Sequence, residues 1–301
     1  MLYLDRRTIE GLGLTQRQVF EAVEDGFRRK GSGDARTLVG GVGRDGAGAF
    51  HAKGGFYGGY CALKWFGYFP EGGGVAPPMI LLNRRTDGIP LCVMEGGWIT
   101  ERRTAAISAV AATRLARPDA ARIGFIACGR QAWSHLEALM PHFGLQHLLA
   151  YSRNPETSRA FAERAAALGL EAHSTGDPAE VLAQSDIVVS TAPIRPGTGV
   201  LDAELLPPGC FVTMPDLGHG WQRHSLDAFD LLVTDDLAQG GGASGFNTDR
   251  EIAYDLAGIL PAMAPDARKA LVFSGTGLAD AACAALVYEH ALERDMGRML
   301  D

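Results

Sequence analysis

The chain has 301 residues, 47% of them hydrophobic, and a formal net charge of −7. That length allows two domains, while the acidic balance, the absence of basic runs and the lack of any apolar stretch near ~20 residues argue against nucleic acid and membrane partners. Five scattered cysteines in apolar surroundings and an opening MLYLDRRTIE without the apolar core of a signal peptide suggest a reduced, cytoplasmic protein, and without CxxC or HExxH no metal site is expected.

Residues 15–29 carry Val19, Ala22, Val23 and Phe27 on one helical face, with Thr15 placed to cap it. Residues 31–48 are small and glycine-rich, contain Arg36 and Arg44, and suggest no element. Residues 50–68 read as strands parted by Gly54-Gly55 and Gly58-Gly59, carrying His51, Lys53 and Lys64. A Gly/Pro loop at 71–78 precedes the clearest hairpin, 79–82 and 90–94 around Thr86-Asp87-Gly88. Residues 100–116 are an Ala-rich helix.

From 121 onward strands alternate with helices. Strands are expected at 123–126, 148–151, 187–190, 211–214 and 231–233. Helices are expected near 131–142, 156–168 and 178–184, with at most one turn at 203–206. Such alternation implies a parallel sheet covered on both faces. Residues 238–247 (AQGGGASGFN) read as a mobile loop, and 280–300 as an amphipathic helix with Leu286, Val287, His290 and Ala291 on its apolar side.

The stretch ARIGFIACGRQAWSHLEAL at 121–139 organises this half of the chain. An apolar strand runs through Cys128-Gly129-Arg130 into a helix beginning at Gln131. That geometry gathers unpaired N–H groups and the positive end of a helix at one spot, where a dinucleotide pyrophosphate sits. Ala127, Gly129 and Ala132 stand where G-x-G-x-x-G/A is expected, so Ala127 is the departure. Cys128, Gly129, Arg130, Gln131 and Ala132 are the candidate phosphate cradle. After the next strand no acid grips a ribose hydroxyl. Ser152, Arg153 and Asn154 stand there instead, which suits a 2′-phosphate and leans the cofactor towards NADP over NAD.

Several segments together resemble the ornithine cyclodeaminase/mu-crystallin family: KWFGYFP at 64–70, DGIPLCVMEGGWITERRTAA at 87–106, the GRQAWSHLEAL turn and helix, SRNPE at 152–156, VVSTAP at 188–193, MPDLG at 214–218 and FSGTGLADAACAALVYEHA at 273–291. The resemblance implies an α/β architecture in two parts. A Rossmann-type doubly wound parallel sheet domain spans 104–279. A discontinuous α+β domain for substrate binding and dimerisation combines 1–103 with 280–301, and two subunits pair through the sheet holding the 79–94 hairpin. It further implies hydride transfer between nicotinamide nucleotide and the α-carbon of a small amino acid or its imine, in an amino-acid dehydrogenase or imine reductase. Two alternatives stay open: an ornithine cyclodeaminase forming proline and ammonia with bound NAD, and a non-catalytic ligand-binding protein like the mu-crystallin branch.

Chemistry at an amino-acid α-carbon needs a rigid partner for the carboxylate and an acid or base at the nitrogen. Arg103, in R-T-A-A, matches the family's carboxylate-binding arginine. Lys64 lies in an apolar strand where a lone ammonium is costly, and matches the family lysine near the substrate. Arg36 aligns with a second carboxylate-binding arginine, and His51 and Lys53 resemble groups that line the substrate pocket. Asp216, just past a central strand, matches the catalytic aspartate. Thr191 and Pro193 are expected at the nicotinamide. The aspartate that the family often carries in its last helix is displaced, with Ala282 in its place and Asp280 two residues earlier.

Overall fold

The computed structural model of the chain describes residues 1–46, 48–69, 74–192, 199–240 and 245–300. The chain divides into two compact units, Met1–Ile107 with Thr276–Asp301, and Ser108–Gly275.

The first unit opens with β1 (Leu2–Leu4), α1 (Arg6–Gly11) and α2 (Gln16–Gly31). Thr15 caps α2 through a reciprocal pair: its hydroxyl accepts from the Gln18 N–H while the Gln18 side chain accepts from the Thr15 N–H. Val19, Val23 and Phe27 are buried as the periodicity requires. The glycine-rich 31–48 stretch, unassigned from sequence, contributes β2 (Arg36–Asp45), which pairs antiparallel with β3 (Gly48–Tyr57). Then follow β4 (Tyr60–Phe69), β5 (Gly74–Val75), the expected hairpin β6 (Met79–Arg84) and β7 (Pro90–Glu95), and α3 (Gly97–Leu115). Gly88 makes the hairpin turn at a φ of +76°, a left-handed value that glycine adopts without a Cβ clash. The loop expected at 71–78 yields β5 at its centre, and residues 70–73 lie outside the described residues.

The second unit alternates strand and helix through β8 (Arg122–Ile126), α4 (Arg130–Leu139), β9 (His147–Tyr151), α5 (Pro155–Ala166), β10 (Glu171–Ser174), α6 (Pro178–Gln184), β11 (Ile187–Ser190) and β12 (Phe211–Met214). It ends in β13 (Leu231–Thr234), α7 (Leu237–Gly240), β14 (Tyr254–Asp255) and β15 (Lys269–Val272). All strands run parallel in the order β10-β9-β8-β11-β12-β15-β13-β14. Strands β11, β12, β13 and β15 are buried along their whole length, which explains their continuous apolar runs. Three strands escaped the sequence: β10 (EAHS) is polar and largely exposed, β14 is two residues long, and β15 begins with a lysine. The helix expected to reach 142 ends at Leu139 and tightens into a 3₁₀ turn over Met140–His142, because Pro141 has no N–H to continue it. In the supposed loop at 238–247, α7 is a single helical turn; residues 241–244 lie outside the described residues.

The chain returns to the first unit with α8 (Gly277–Glu293) and β16 (Arg298–Met299). This corrects the single helix expected over 280–300. Nor is α8 amphipathic: it is buried continuously from Gly277 to Ala285 because it packs on β3 and β4 on one side and α2 on another. Its first turn touches β3 backbone to backbone. A Cβ on Gly277 would lie 2.3 Å from the Gly54 nitrogen, and one on Gly55 would lie 2.8 Å from the Leu278 Cα. The Gly54-Gly55 pair is therefore a helix seat inside an unbroken strand, where the sequence suggested a break. The sheet order is β16-β1-β7-β6-β4-β3-β2, with β5 on β4.

Candidate functional site

Chemistry-bearing side chains collect in two places, one in each unit. In the second unit, the sheet order reverses between β8 and β11, and crevices at the carboxyl ends of strands form at such reversals. Three strand ends are laced together here. The Ala127 N–H donates to the Tyr151 carbonyl (2.9 Å), the Cys128 N–H to the Ser152 hydroxyl (3.0 Å), and the Thr191 hydroxyl to the Ala127 carbonyl (2.9 Å). Ala127 itself takes a φ of +66°, so the first fingerprint position keeps the left-handed turn without its glycine. Gly129 precedes α4 with no side-chain cap, and a Cβ built on it would meet nothing within 4 Å. Arg130 is exposed, Ala132 is fully buried, and the Gln131 Oε1 is buried with no hydrogen-bond partner among the described residues. Uncapped helix N–H groups facing open space fit a dinucleotide pyrophosphate. Beyond β9, Ser152 is buried, Arg153 is exposed, and Asn154 caps α5 by accepting from the Glu156 N–H. Pro193 lies outside the described residues.

Asp216 stands two residues past the end of β12 and is 2% exposed. Its Oδ2 accepts from the Ser190 hydroxyl at the end of β11 (2.8 Å), and its Oδ1 from the Gly218 N–H (3.1 Å). Burial pushes its carboxyl up to about 6, against the opposing pull of these donors and of the Gly220 N–H. A Cβ on Gly220 would sit 2.8 Å from Oδ2, so glycine keeps room for the carboxylate. Ser190 was not singled out from sequence, although it ends β11, the strand paired beside β12. A second buried network in this unit also escaped. The His135 Nδ1–H donates to the Gln131 carbonyl (2.7 Å), which fixes the tautomer. Its Nε2 then accepts from the Ser108 hydroxyl (2.9 Å), which accepts in turn from Thr213 of β12 (2.7 Å). Burial drops the imidazole to about 4, so this link between α4 and β12 is neutral.

In the first unit, Lys64 on β4 and Arg103 on α3 meet one carboxylate, Asp280 on α8. The Lys64 Nζ lies 2.9 Å from Oδ1 and 2.8 Å from Oδ2, and the Arg103 Nε–H donates to Oδ1 at 2.9 Å. All three are buried, at 2%, 4% and 1% exposure. Burial, reinforced by the charge of Arg103, drops the Lys64 ammonium to about 7, while Asp280 pulls the other way. Lys53 pairs with Lys64 across β3 and β4 on the same face, and His51, stacked on Phe66 at 4.8 Å, shares it. Arg36 does not. It pairs with Phe56, lies over that ring at 4.5 Å, and therefore occupies the opposite face of the sheet, because side chains alternate along a strand. Its neighbour Thr37 is the residue turned to α8, with its hydroxyl 3.4 Å from that of Thr276. Among the described residues no group of three or more His, Cys, Asp or Glu is placed to hold a metal, and no helix is long and apolar enough to cross a membrane.

A family model described as the ornithine cyclodeaminase/mu-crystallin family matches residues 2–295. Alanine dehydrogenase of Archaeoglobus fulgidus is 30% identical over 316 residues, covering 98% of this chain and 97% of that protein. Among solved structures, the Thermococcus litoralis Δ1-pyrroline-2-carboxylate reductase in complex with NADH and L-proline superposes with a TM-score of 0.88 at 26% identity, covering 100% of both chains. An archaeal alanine dehydrogenase dimer with bound NAD gives 0.86, also at 26% identity, covering 100% of this chain and 99% of that one.

Proposed function

Because the chain belongs to the ornithine cyclodeaminase/mu-crystallin family, we propose that it is a nicotinamide-dependent oxidoreductase acting at the α-carbon of a small amino acid or its imine. The observation that carries the mechanism is Asp216, a buried carboxyl raised to about 6 beyond a central strand. A group with that value can give a proton to an imine nitrogen near neutral pH and take it back in the reverse direction. In this reading Arg103 and Lys64 receive the substrate carboxylate, with Lys53 on the same sheet face; Arg36, on the other face, has no part. The bound nicotinamide nucleotide supplies or accepts the hydride. Cys128, Gly129, Arg130, Gln131 and Ala132 would hold its pyrophosphate, Thr191 its nicotinamide side, and Ser152, Arg153 and Asn154 the adenosine ribose. The absence of an acid after β9 supports NADP, whereas the two relatives above carry NADH and NAD.

Assembly as a homodimer is supported by the outer face of the first unit's sheet. Phe50, Leu63, Trp65 and Met79 are exposed there, Phe50 stacked on Trp65 at 5.6 Å. Reduced cysteines suit a cytoplasmic setting.

The decisive assay supplies pyruvate with ammonia, or a cyclic imino acid, to the protein with NADH and with NADPH. Equimolar loss of the reduced nucleotide's absorbance is expected. Ammonia released from ornithine without net change in the nucleotide would make the protein a cyclodeaminase, and failure to bind either nucleotide would remove the enzyme reading altogether.

A further inference from the structure

We propose that Asp280 is a positioning residue, which fixes Arg103 and Lys64 against each other and so governs how that pair takes up a substrate carboxylate. This rests on the reading of the pair given above. The geometry is specific. Asp280 engages Arg103 through Nε alone, leaving Nη1 and Nη2 without a hydrogen bond among the described residues. Those two nitrogens form the end-on fork that matches a carboxylate in bidentate fashion. Holding the guanidinium by its flank aims the fork without filling it. The same carboxylate spans the Lys64 ammonium with both oxygens, so one acid sets the separation of two cations.

Charge supports the assignment. One carboxylate faces two cations in a place almost closed to water, and positive charge is left over for an incoming anion to answer. Burial and the charge of Arg103 drive Lys64 towards its neutral form, with Lys53 on β3 adding to the effect; only Asp280 on α8 opposes them. Cys283, one turn along α8, is held far above its ordinary range by burial and stays a neutral thiol, and Thr100 on α3 contributes only a hydroxyl 3.5 Å from Nζ. The charge state of Lys64 therefore depends on Asp280.

The test reads Lys64 directly. The chain contains four lysines, so its titration can be followed by NMR with isotopically labelled lysine, alongside calorimetry of pyruvate binding to the NAD-saturated protein. Asp280→Asn is expected to lower the Lys64 midpoint by about one pH unit or more and to weaken pyruvate about tenfold at neutral pH, the deficit closing once the pH falls below the new midpoint. Asp280→Glu keeps the charge but moves it by a methylene. It should leave the Lys64 midpoint near that of the wild type and weaken pyruvate equally at every pH, and this variant carries the test if Asp280→Asn does not fold. A Lys64 midpoint unmoved in folded Asp280→Asn, or unweakened pyruvate binding in Asp280→Glu, overturns the proposal. If pyruvate binding responds to Arg103→Met and Lys64→Met but to neither Asp280 variant, the Asp280 assignment alone falls. If it ignores Arg103→Met and Lys64→Met as well, the carboxylate reading has failed with it.

Discussion

Asp216 should cost the fold stability in a pH-dependent way, and Asp216→Asn should expose that cost. Its carboxyl rises from an ordinary 3.8 to about 6 on folding, chiefly through burial. At about 1.4 kcal/mol per pH unit, that rise corresponds to about 3 kcal/mol. The sign follows from where each state titrates. Below pH 3.8 the group is protonated whether folded or unfolded and no penalty exists; the penalty grows as the pH climbs and is complete above about 6. Asparagine carries no charge, keeps an acceptor for the Gly218 N–H, and can donate to the Ser190 hydroxyl once that rotor turns. After allowance for the weaker hydrogen bonds, the variant should gain about 1–3 kcal/mol over the wild type in denaturant titrations at pH 8 and almost nothing at pH 4. Turnover should fall about 10²–10⁴-fold with the proton donor removed. An equal stability change at both pH values would refute the titration argument, and retained turnover would refute the catalytic one.

Other parts of the molecule carry their own tests. Ala127→Gly removes a left-handed alanine worth roughly 1–2 kcal/mol of strain at an entropic cost of about 0.5–1, so thermal unfolding should rise slightly while nucleotide binding is kept. Gly277→Ala places a methyl 2.3 Å from the Gly54 nitrogen, where neither backbone can yield. Loss of more than about 3 kcal/mol, or insoluble expression, is expected, and a normally stable variant would mean that α8 does not seat on β3 as described. Gly220→Ala forces a methyl within 2.8 Å of the Asp216 carboxylate and should lower turnover with little effect on nucleotide affinity. Trp65→Glu adds a charge to the exposed aromatic face and should convert a dimer to monomer in sedimentation, leaving the fold intact by circular dichroism.

The parallel sheet was legible because its strands are buried on both faces: short runs such as FVTM and IVVS, rich in β-branched and aromatic residues, read as strands, and each is followed by a small-residue turn or a helix period. What escaped has a common cause. Strand β2 is held by its pairing to β3 and not by its own glycines, and β10 by its pairing to β9 and not by its polar sequence, so neither leaves a pattern in one dimension. Motif matching brought Arg36 to the same list as Arg103 and Lys64. Strand alternation separates them, and that parity could not be read until the β2 register was known.

Asp280 illustrates the converse, a residue that acquires meaning only in three dimensions. Two residues on an α-helix are about 200° apart, so an acid at 282 and one at 280 face nearly opposite ways. The direction of Ala282 is that of α2: a Cβ built on Gly26 of α2 would lie 3.6 Å from the Ala282 Cβ, an ordinary contact at a crossing of small residues. The direction of Asp280 leads to β4 and α3, where two buried cations need a counter-charge. That half-turn sets the small Ala282 at the α2 crossing and gives Lys64 and Arg103 an internal partner in Asp280. The close helix crossing and the charge balance of the cation pair thus depend on one another in this chain: moving the acid from 280 to 282 would bury a charge against Gly26 and strip one from Lys64.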